Sequence, residues 1–277
     1  MIDKKNNITK RCKTLISQWK GNLNLTNYER QKFEDNIHQL DIQIKKLEKK
    51  ELQVSVFGRV GVGKSSLLNA LIEKQVFPTD IINGNTKTMK AYKWCKRFKS
   101  LNKVELIDSP GIDEINKANK EKLCFNYLLD TDLILFVIDS DITRVDLNFI
   151  EKLLRHNKPI LLVLNRCDQW NEGEAQLILS SIQRKLSFYK HKIQIALVAS
   201  SPRQAKIKTD GTVRSEQKAP KVEILKSDLK DIIEQSGELL LCINSLRIAD
   251  QFYKLLKENR LLKRKEAAQS LIGKYAA

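Results

Sequence analysis

The feature that most constrains this chain is a glycine-rich run of eight residues, Gly58-Arg59-Val60-Gly61-Val62-Gly63-Lys64-Ser65. The run fits the spacing G-x-x-x-x-G-K-[ST]. It lies between a β-prone stretch at residues 53–57 and apolar residues at helical spacing in residues 66–74. Glycines let backbone N–H groups converge on phosphate oxygens, and a helix that begins near Lys64 turns its positive dipole end toward them. The sequence therefore predicts a phosphate-binding loop at a strand-to-helix turn.

The last residues of this loop carry specific chemistry. Lys64 is expected to reach the β- and γ-phosphates of a nucleotide and to take part in catalysis, and the Ser65 hydroxyl is expected to bind Mg²⁺. We predict that all eight residues of the run, together with Ser66, contact the nucleotide. The loop alone does not distinguish ATP from GTP.

Short apolar stretches alternate with helical ones through the middle of the chain. The further β-prone runs are Met89–Trp94, Lys103–Ile107, Leu133–Ile138, Ile160–Leu164 and Ile193–Val198. The helical stretches between them are Asn119–Leu129, Thr143–His156 and Gly173–Tyr189. Near-continuous apolar strands that alternate with helices indicate a mostly parallel sheet covered on both faces, which is an α/β nucleotide-binding architecture.

A second motif, Asp108-Ser109-Pro110-Gly111, follows the β-prone run Val104-Glu105-Leu106-Ile107. In isolation it would be an ordinary turn after a strand. Downstream of a phosphate-binding loop, an acid at the end of a buried strand can hold the Mg²⁺ shell through water, which is the role we predict for Asp108. Gly111 can bring its backbone N–H against the γ-phosphate.

A third motif, Asn165-Arg166-Cys167-Asp168, follows another buried run and fits N-[KR]-x-D. The Asp168 carboxylate can accept both the N1–H and the N2–H₂ of guanine, whereas adenine offers neither donor there. A site built around these donors rejects adenine on the order of 10⁴-fold. We therefore predict guanine recognition by Asp168, with Asn165 holding the loop and contacting the base beside Arg166.

With these three motifs in place (GRVGVGKSSLLNAL, DSPG and NRCD), residues 52–236 resemble the Era/TrmE/septin branch of translation-factor-type GTPases. The resemblance implies a P-loop GTPase domain that binds GTP and GDP with Mg²⁺, hydrolyses GTP to GDP and acts as a nucleotide-controlled switch. It also implies two weaker motifs, a switch threonine and a loop behind the guanine.

The switch threonine of similar proteins lies between the P-loop helix and Asp108. Candidates in this interval are Thr79, Thr86 and Thr88. Thr86 is our choice, because Thr86-Lys87 resembles the Thr-Arg/Lys dipeptide that precedes the second strand in similar proteins, and Thr88 is its rival. The hydroxyl of Thr86 would complete the Mg²⁺ shell, and its backbone would sense the γ-phosphate during catalysis.

The loop behind the guanine corresponds to Val198-Ala199-Ser200, after the last apolar run. The family usually has Ser-Ala here, so the contributing residue is open. We predict that the backbone N–H of Ala199 or of Ser200 donates to the guanine O6.

The residue after Gly111 is Ile112, where Ras-type switches place the glutamine that orients the attacking water. Isoleucine cannot do this, so hydrolysis must rely on another group, on K⁺ or on a partner in trans, including a second copy of this chain. Asp113 and Glu114 lie nearby and are candidates. We expect slow intrinsic turnover, below about 1 s⁻¹.

The pattern divides the chain into an N-terminal helical extension at residues 1–50, a GTPase domain at residues 51–237 and a basic helical extension at residues 238–277. A helix is predicted from Val222 to Gln235, ending near Gly237, with a second helix after it. In a branch of bacterial Era-like GTPases a similar basic helix leads into a hydrophobic C-terminal domain of unknown function. This likeness leaves two interpretations open: the extension is truncated, or it is a complete amphipathic helix packed on the GTPase domain.

Charge and composition limit the partners. The net charge is +17, which favours acidic partners. Residues 247–274 carry eight basic and three acidic side chains, which favours an anionic membrane. RNA or a ribosome is an alternative partner, although residues after 237 contain no GxxG of a KH module. A third hypothesis is a scaffold that assembles in a nucleotide-dependent way.

Five scattered cysteines and the lack of a long apolar stretch favour a cytoplasmic protein, associated with membranes if the basic helix binds them.

Overall fold

The computed structural model describes residues 8–79, 90–94, 97–111, 118–189, 193–207 and 213–275. The chain forms two compact units. One unit consists of Glu51–Leu240, and the other combines Met1–Lys50 with Leu241–Ala277. Both ends of the chain therefore belong to the same unit.

A six-stranded sheet forms the centre of the unit at residues 51–240. Its strands are β1 (Glu51–Gly58), β2 (Lys90–Lys93), β3 (Lys103–Asp108), β4 (Leu133–Ile138), β5 (Ile160–Leu164) and β6 (Ile193–Leu197). The helices between them are α4 (Lys64–Ile72), α5 (Ala118–Asp130), α6 (Arg144–Arg155) and α7 (Glu172–Lys185). Helices thus separate most of the strands, as predicted.

The strand order of this sheet is β2-β3-β1-β4-β5-β6. β1 pairs in parallel with β3 and β4, the pairs β4–β5 and β5–β6 are also parallel, and only β2 runs antiparallel to its neighbour β3. Every residue of β4 and β5 is buried, because apolar side chains project from both faces of these central strands into the core. The predicted mostly parallel sheet with flanking helices is confirmed.

A two-stranded antiparallel hairpin follows the sheet. Its strands are β7 (Arg203–Ile207) and β8 (Val213–Gln217), and Ala199 and Lys221 pair beside it. Asp210-Gly211, a dipeptide that commonly forms a hairpin turn, lies outside the described residues.

The predicted helix end near Gly237 is wrong, because one helix, α8, runs without a break from Glu223 to Tyr275. A glycine inside a helix costs roughly 1 kcal/mol relative to alanine, but it does not stop a helix that is favoured on both sides. Gly237 instead makes room for a neighbour: a Cβ at this position would lie 2.8 Å from Leu101 Cδ1. The glycine therefore allows close packing.

The other unit is helical. It contains α1 (Ile8–Gly21), α2 (Asn27–Lys32), α3 (Glu34–Lys49) and the part of α8 after residue 240. Residues 8–49, within the predicted N-terminal helical extension, form three helices. A capping box formed by Thr26 and Glu29 begins α2, and Phe33 leaves helical geometry between α2 and α3.

Polar and aromatic contacts join the helices of this unit. Arg260 on α8 donates from Nε to Glu29 Oε1 at 2.7 Å, and its guanidinium holds the pKa of the Glu29 carboxyl at about 2. Phe252 packs edge-on against Trp19 and Phe33, with ring centroids 6.2 and 5.9 Å apart. None of the described helices is both long enough and apolar enough to cross a membrane.

Candidate functional site

The glycine-rich run connects β1 to α4, as the sequence predicts. Gly63 is the N-cap of α4 and has a φ of +90°, in the left-handed region that favours glycine. A Cβ at this position would also overlap Asn165 Nδ2. Both conditions require glycine at position 63, and they bring the N-terminus of α4 next to the third sequence motif.

Lys64, the first residue of α4, is buried. Its Nζ donates to Gly58 O at 3.1 Å and to Arg59 O at 2.8 Å, so the ammonium group lies over the backbone of the loop. A lysine held this way can exchange carbonyl oxygens for the phosphate oxygens of a nucleotide, which are stronger acceptors for an ammonium group.

Ser65 and Asp108 form the second contact of the site. The Ser65 hydroxyl donates to Asp108 Oδ2 at 2.6 Å, and Oδ1 of the same carboxylate is buried with no hydrogen-bond partner among the described residues. Burial raises the pKa of Asp108 above its ordinary value, against the opposing effects of Ser65 and Lys64. An unpartnered carboxylate oxygen beside a hydroxyl suits Mg²⁺, which prefers oxygen ligands and keeps several waters.

Gly111 lies against the loop. A Cβ on Gly111 would be 2.5 Å from Val60 Cγ2 and 2.9 Å from Val60 N, so only glycine allows this approach. The preceding turn is fixed by Ser109, whose hydroxyl donates to Val56 O at 2.6 Å. The structure thus brings the Asp108–Gly111 motif next to the glycine-rich loop.

Asn165 joins three loops. Its Nδ2 donates to Val62 O at 2.8 Å, and its Oδ1 accepts from Ser200 N at 3.0 Å. The side chain is buried at the end of β5 and therefore links the phosphate-binding loop to the loop after β6. Asp168 lies in the short 3₁₀ helix Cys167–Gln169, and its exposed carboxylate is available to a base.

The two predicted O6 donors are already engaged within the protein. Ala199 N donates to Lys221 O at 3.1 Å, and Ser200 N donates to Asn165 Oδ1. Either N–H would have to give up its present acceptor to reach a guanine O6. The assignment of this contact stays a prediction.

Several predicted residues lie outside the described parts of the chain. These are Thr86, Thr88, Ile112, Asp113 and Glu114. Thr79, the remaining threonine candidate, is exposed. Of the cysteines in the described parts, Cys12, Cys124, Cys167 and Cys242 are free thiols, and no group of three or more His, Cys, Asp or Glu in those parts could hold a metal.

Asp139 is a site residue that the sequence reasoning missed. It follows β4 directly, and its Oδ2 lies 3.0 Å from Arg166 Nη1, while its Oδ1 lies 3.8 Å from Arg59 Nη2. Arg166 also donates to Gly61 O. The available signal was positional: an acid at the carboxyl end of a central parallel strand lies at the same sheet edge as the three motifs.

Comparisons with known proteins agree with this geometry. Residues 53–166 match the family described as "50S ribosome-binding GTPase". GTPase Der of Bartonella bacilliformis is 34% identical over 126 residues, which cover 42% of this chain and 25% of that protein. The tRNA modification GTPase MnmE of Helicobacter acinonychis is 34% identical over 137 residues, which cover 47% of this chain and 29% of that protein.

A solved structure extends the likeness of the fold to both units. It is described as an oligomerised bacterial dynamin pair that provides a mechanism for the long-range sensing and tethering of membranes. The match has a TM-score of 0.50 and 14% identity, and it covers 96% of this chain and 58% of that one. At this identity the likeness shows the fold alone. The chain spans about a quarter to a third of the length of the GTPases that it matches.

Proposed function

We propose that this chain, whose residues 53–166 match a GTPase family, binds GTP with Mg²⁺, hydrolyses it slowly to GDP and works as a nucleotide-controlled switch. The observation that carries the proposal is the convergence of three sequence motifs at one edge of the sheet. Asn165 bonds the phosphate-binding loop, Ser65 bonds Asp108, and Gly111 lies against Val60.

Each group in this arrangement has a proposed task. Lys64 and the backbone N–H groups at the start of α4 hold the β- and γ-phosphates. Ser65 and Asp108 hold Mg²⁺, which neutralises phosphate charge, and Thr86 completes its shell. Asp168 accepts from guanine. Thr86 and Gly111 both contact the γ-phosphate. Hydrolysis removes this shared ligand and so changes the protein from its GTP-bound to its GDP-bound state.

Slow turnover is the first testable consequence. We expect purified chain to hydrolyse GTP with Mg²⁺ below about 1 s⁻¹, because Ile112 cannot orient water. The measurement is phosphate release at several protein concentrations, in KCl and in NaCl. A rate per molecule that rises with concentration supports catalysis in a homodimer, and a rate that rises only in KCl supports a K⁺-assisted reaction. Equal hydrolysis of ATP and GTP would contradict the proposal.

A second candidate function, binding to an anionic membrane, is favoured by the last turns of α8. Leu261, Ala268, Ile272 and Tyr275 share one side of the helix at steps of seven, four and three residues, and all are exposed. Arg264 and Lys265 flank this side of the helix. An exposed apolar stripe with adjacent basic side chains fits the surface of an anionic bilayer.

Vesicle binding tests this candidate. We expect the chain to sediment with phosphatidylserine vesicles more than with phosphatidylcholine vesicles, and added salt should weaken the binding. The double change Leu261→Gln and Ile272→Gln should lower binding several-fold. The control is Leu177→Gln, at an exposed leucine of α7. Binding to RNA in a gel shift without binding to vesicles would favour the RNA alternative instead.

A further inference from the structure

Asp139 has a place in the site that none of the three motifs explains. It is followed by the β4–α6 connection, and its carboxylate faces two guanidinium groups from different loops. Arg59 comes from the phosphate-binding loop, and Arg166 comes from the motif that carries Asp168. One carboxylate therefore stands between the part of the site that holds phosphate and the part that holds the base.

We propose that Asp139 is a positioning residue that couples guanine recognition to the phosphate-binding loop through Arg166 and Arg59. The inference rests on the proposed function, since it assigns a task within the same nucleotide site. Asp139 is not itself a predicted ligand of the nucleotide. It acts by fixing two arginines whose loops do contact the nucleotide.

The contacts of Arg166 support this scheme. Its guanidinium binds Asp139 Oδ2 at 3.0 Å and also donates to Gly61 O within the phosphate-binding loop. Its backbone has a φ of +62°, an unusual conformation for a residue with a side chain. The side-chain contacts hold the residue in that conformation, two positions before Asp168.

The contacts of Arg59 show why it depends on an acidic neighbour. Its Nε lies 3.5 Å from Asp146 Oδ1, and both atoms are buried without a hydrogen bond among the described residues. Asp146 Oδ2 is occupied at the start of α6, where it accepts from Thr143 N at 3.0 Å and from Thr143 Oγ1 at 2.6 Å. Asp139 is thus the second acid that restrains Arg59.

The direction in which one substitution changes GDP affinity distinguishes a positioning role of Asp139 from a purely electrostatic effect. Asp139→Asn removes a negative charge near a site for an anionic ligand, so the electrostatic field alone would tighten GDP binding. If Asp139 positions the two arginines, the same change weakens GDP binding, and we expect about a tenfold loss. The probe is fluorescent GDP, with the urea midpoint measured alongside to show that the variant is folded.

A double-mutant cycle tests whether Asp139 affects GDP binding through Arg166. Arg166→Gln alone should also weaken GDP binding about tenfold, and adding Asp139→Asn should then change the affinity less than twofold. The matched control is Asp141→Asn, in the same connection, because Asp141 binds Lys185 and Ser181 instead of the nucleotide loops. If Asp139→Asn does not fold, the cycle of Arg59→Gln with Arg166→Gln measures the same coupling.

The outcomes separate this inference from the proposed function. GDP binding that is unchanged or tighter in Asp139→Asn would overturn the inference, as would losses that simply add in the cycle. In both cases the proposed function would stand, because the unmodified chain would still bind GDP. Failure of the unmodified chain to bind GDP would overturn both.

Discussion

Replacing Lys64 with alanine is expected to lower GTP hydrolysis on the order of 100-fold or more and to weaken GTP binding. The Lys64 ammonium group is buried at the start of α4 and now donates to Gly58 O and Arg59 O. No other lysine occupies the loop between β1 and α4, so alanine leaves the β- and γ-phosphates without this cation. The measurement is single-turnover phosphate release at saturating GTP and Mg²⁺.

The matched control for this change is Lys74→Ala. Lys74 is exposed and lies just after α4, so its loss removes the same charge from the same unit without touching the loop. Hydrolysis in this variant should stay within about twofold of the unmodified chain. If Lys64→Ala hydrolyses GTP as fast as Lys74→Ala, the glycine-rich loop is not where the γ-phosphate reacts.

Replacing Asp168 with asparagine is expected to weaken GDP binding on the order of 10³-fold or more, while weak ADP binding stays weak. The carboxylate accepts two donors of guanine, and an amide presents a donor where the base already has one. The Asp168 side chain is exposed beside the 3₁₀ turn, so the change should leave the free energy of unfolding nearly unaltered. Titration with fluorescent GDP and ADP measures both effects.

Glu172→Gln is the matched control for Asp168→Asn. It removes one negative charge four residues further along, at the exposed first residue of α7. GDP binding in this variant should be unchanged within about twofold. An equal loss of GDP affinity in both variants would mean that net charge near the base, rather than pairing with guanine, governs affinity.

The parts of the site that could be predicted from the sequence are those whose chemistry is local. The glycine-rich loop needs residues with particular backbone freedom at fixed spacing, and the buried strands need continuous apolar runs. Both requirements can be recognised along the chain without knowledge of tertiary contacts. Asp108 and Asn165 could be found for the same reason, because each lies at the carboxyl end of a largely apolar run.

The features that were missed depend on packing between distant segments. A glycine such as Gly237 commonly marks the end of a helix in a sequence. Here its lack of a Cβ instead makes room for Leu101, which lies more than 100 positions earlier in the chain. In the sequence, Asp139 does not differ from other acidic residues. Its place in the site depends on the sheet order, in which β4 lies between β1 and β5. The contact of Glu29 with Arg260 likewise joins the two ends of the chain, and no periodicity indicates it.

The most direct test of the central claim is the titration of the unmodified chain with fluorescent GDP and fluorescent ADP in Mg²⁺. A site formed by the glycine-rich loop, Asp108 and Asp168 predicts that GDP binds at least about 100-fold more tightly than ADP. Equal affinity for the two nucleotides would contradict guanine recognition by Asp168 and leave a phosphate-binding loop without base specificity.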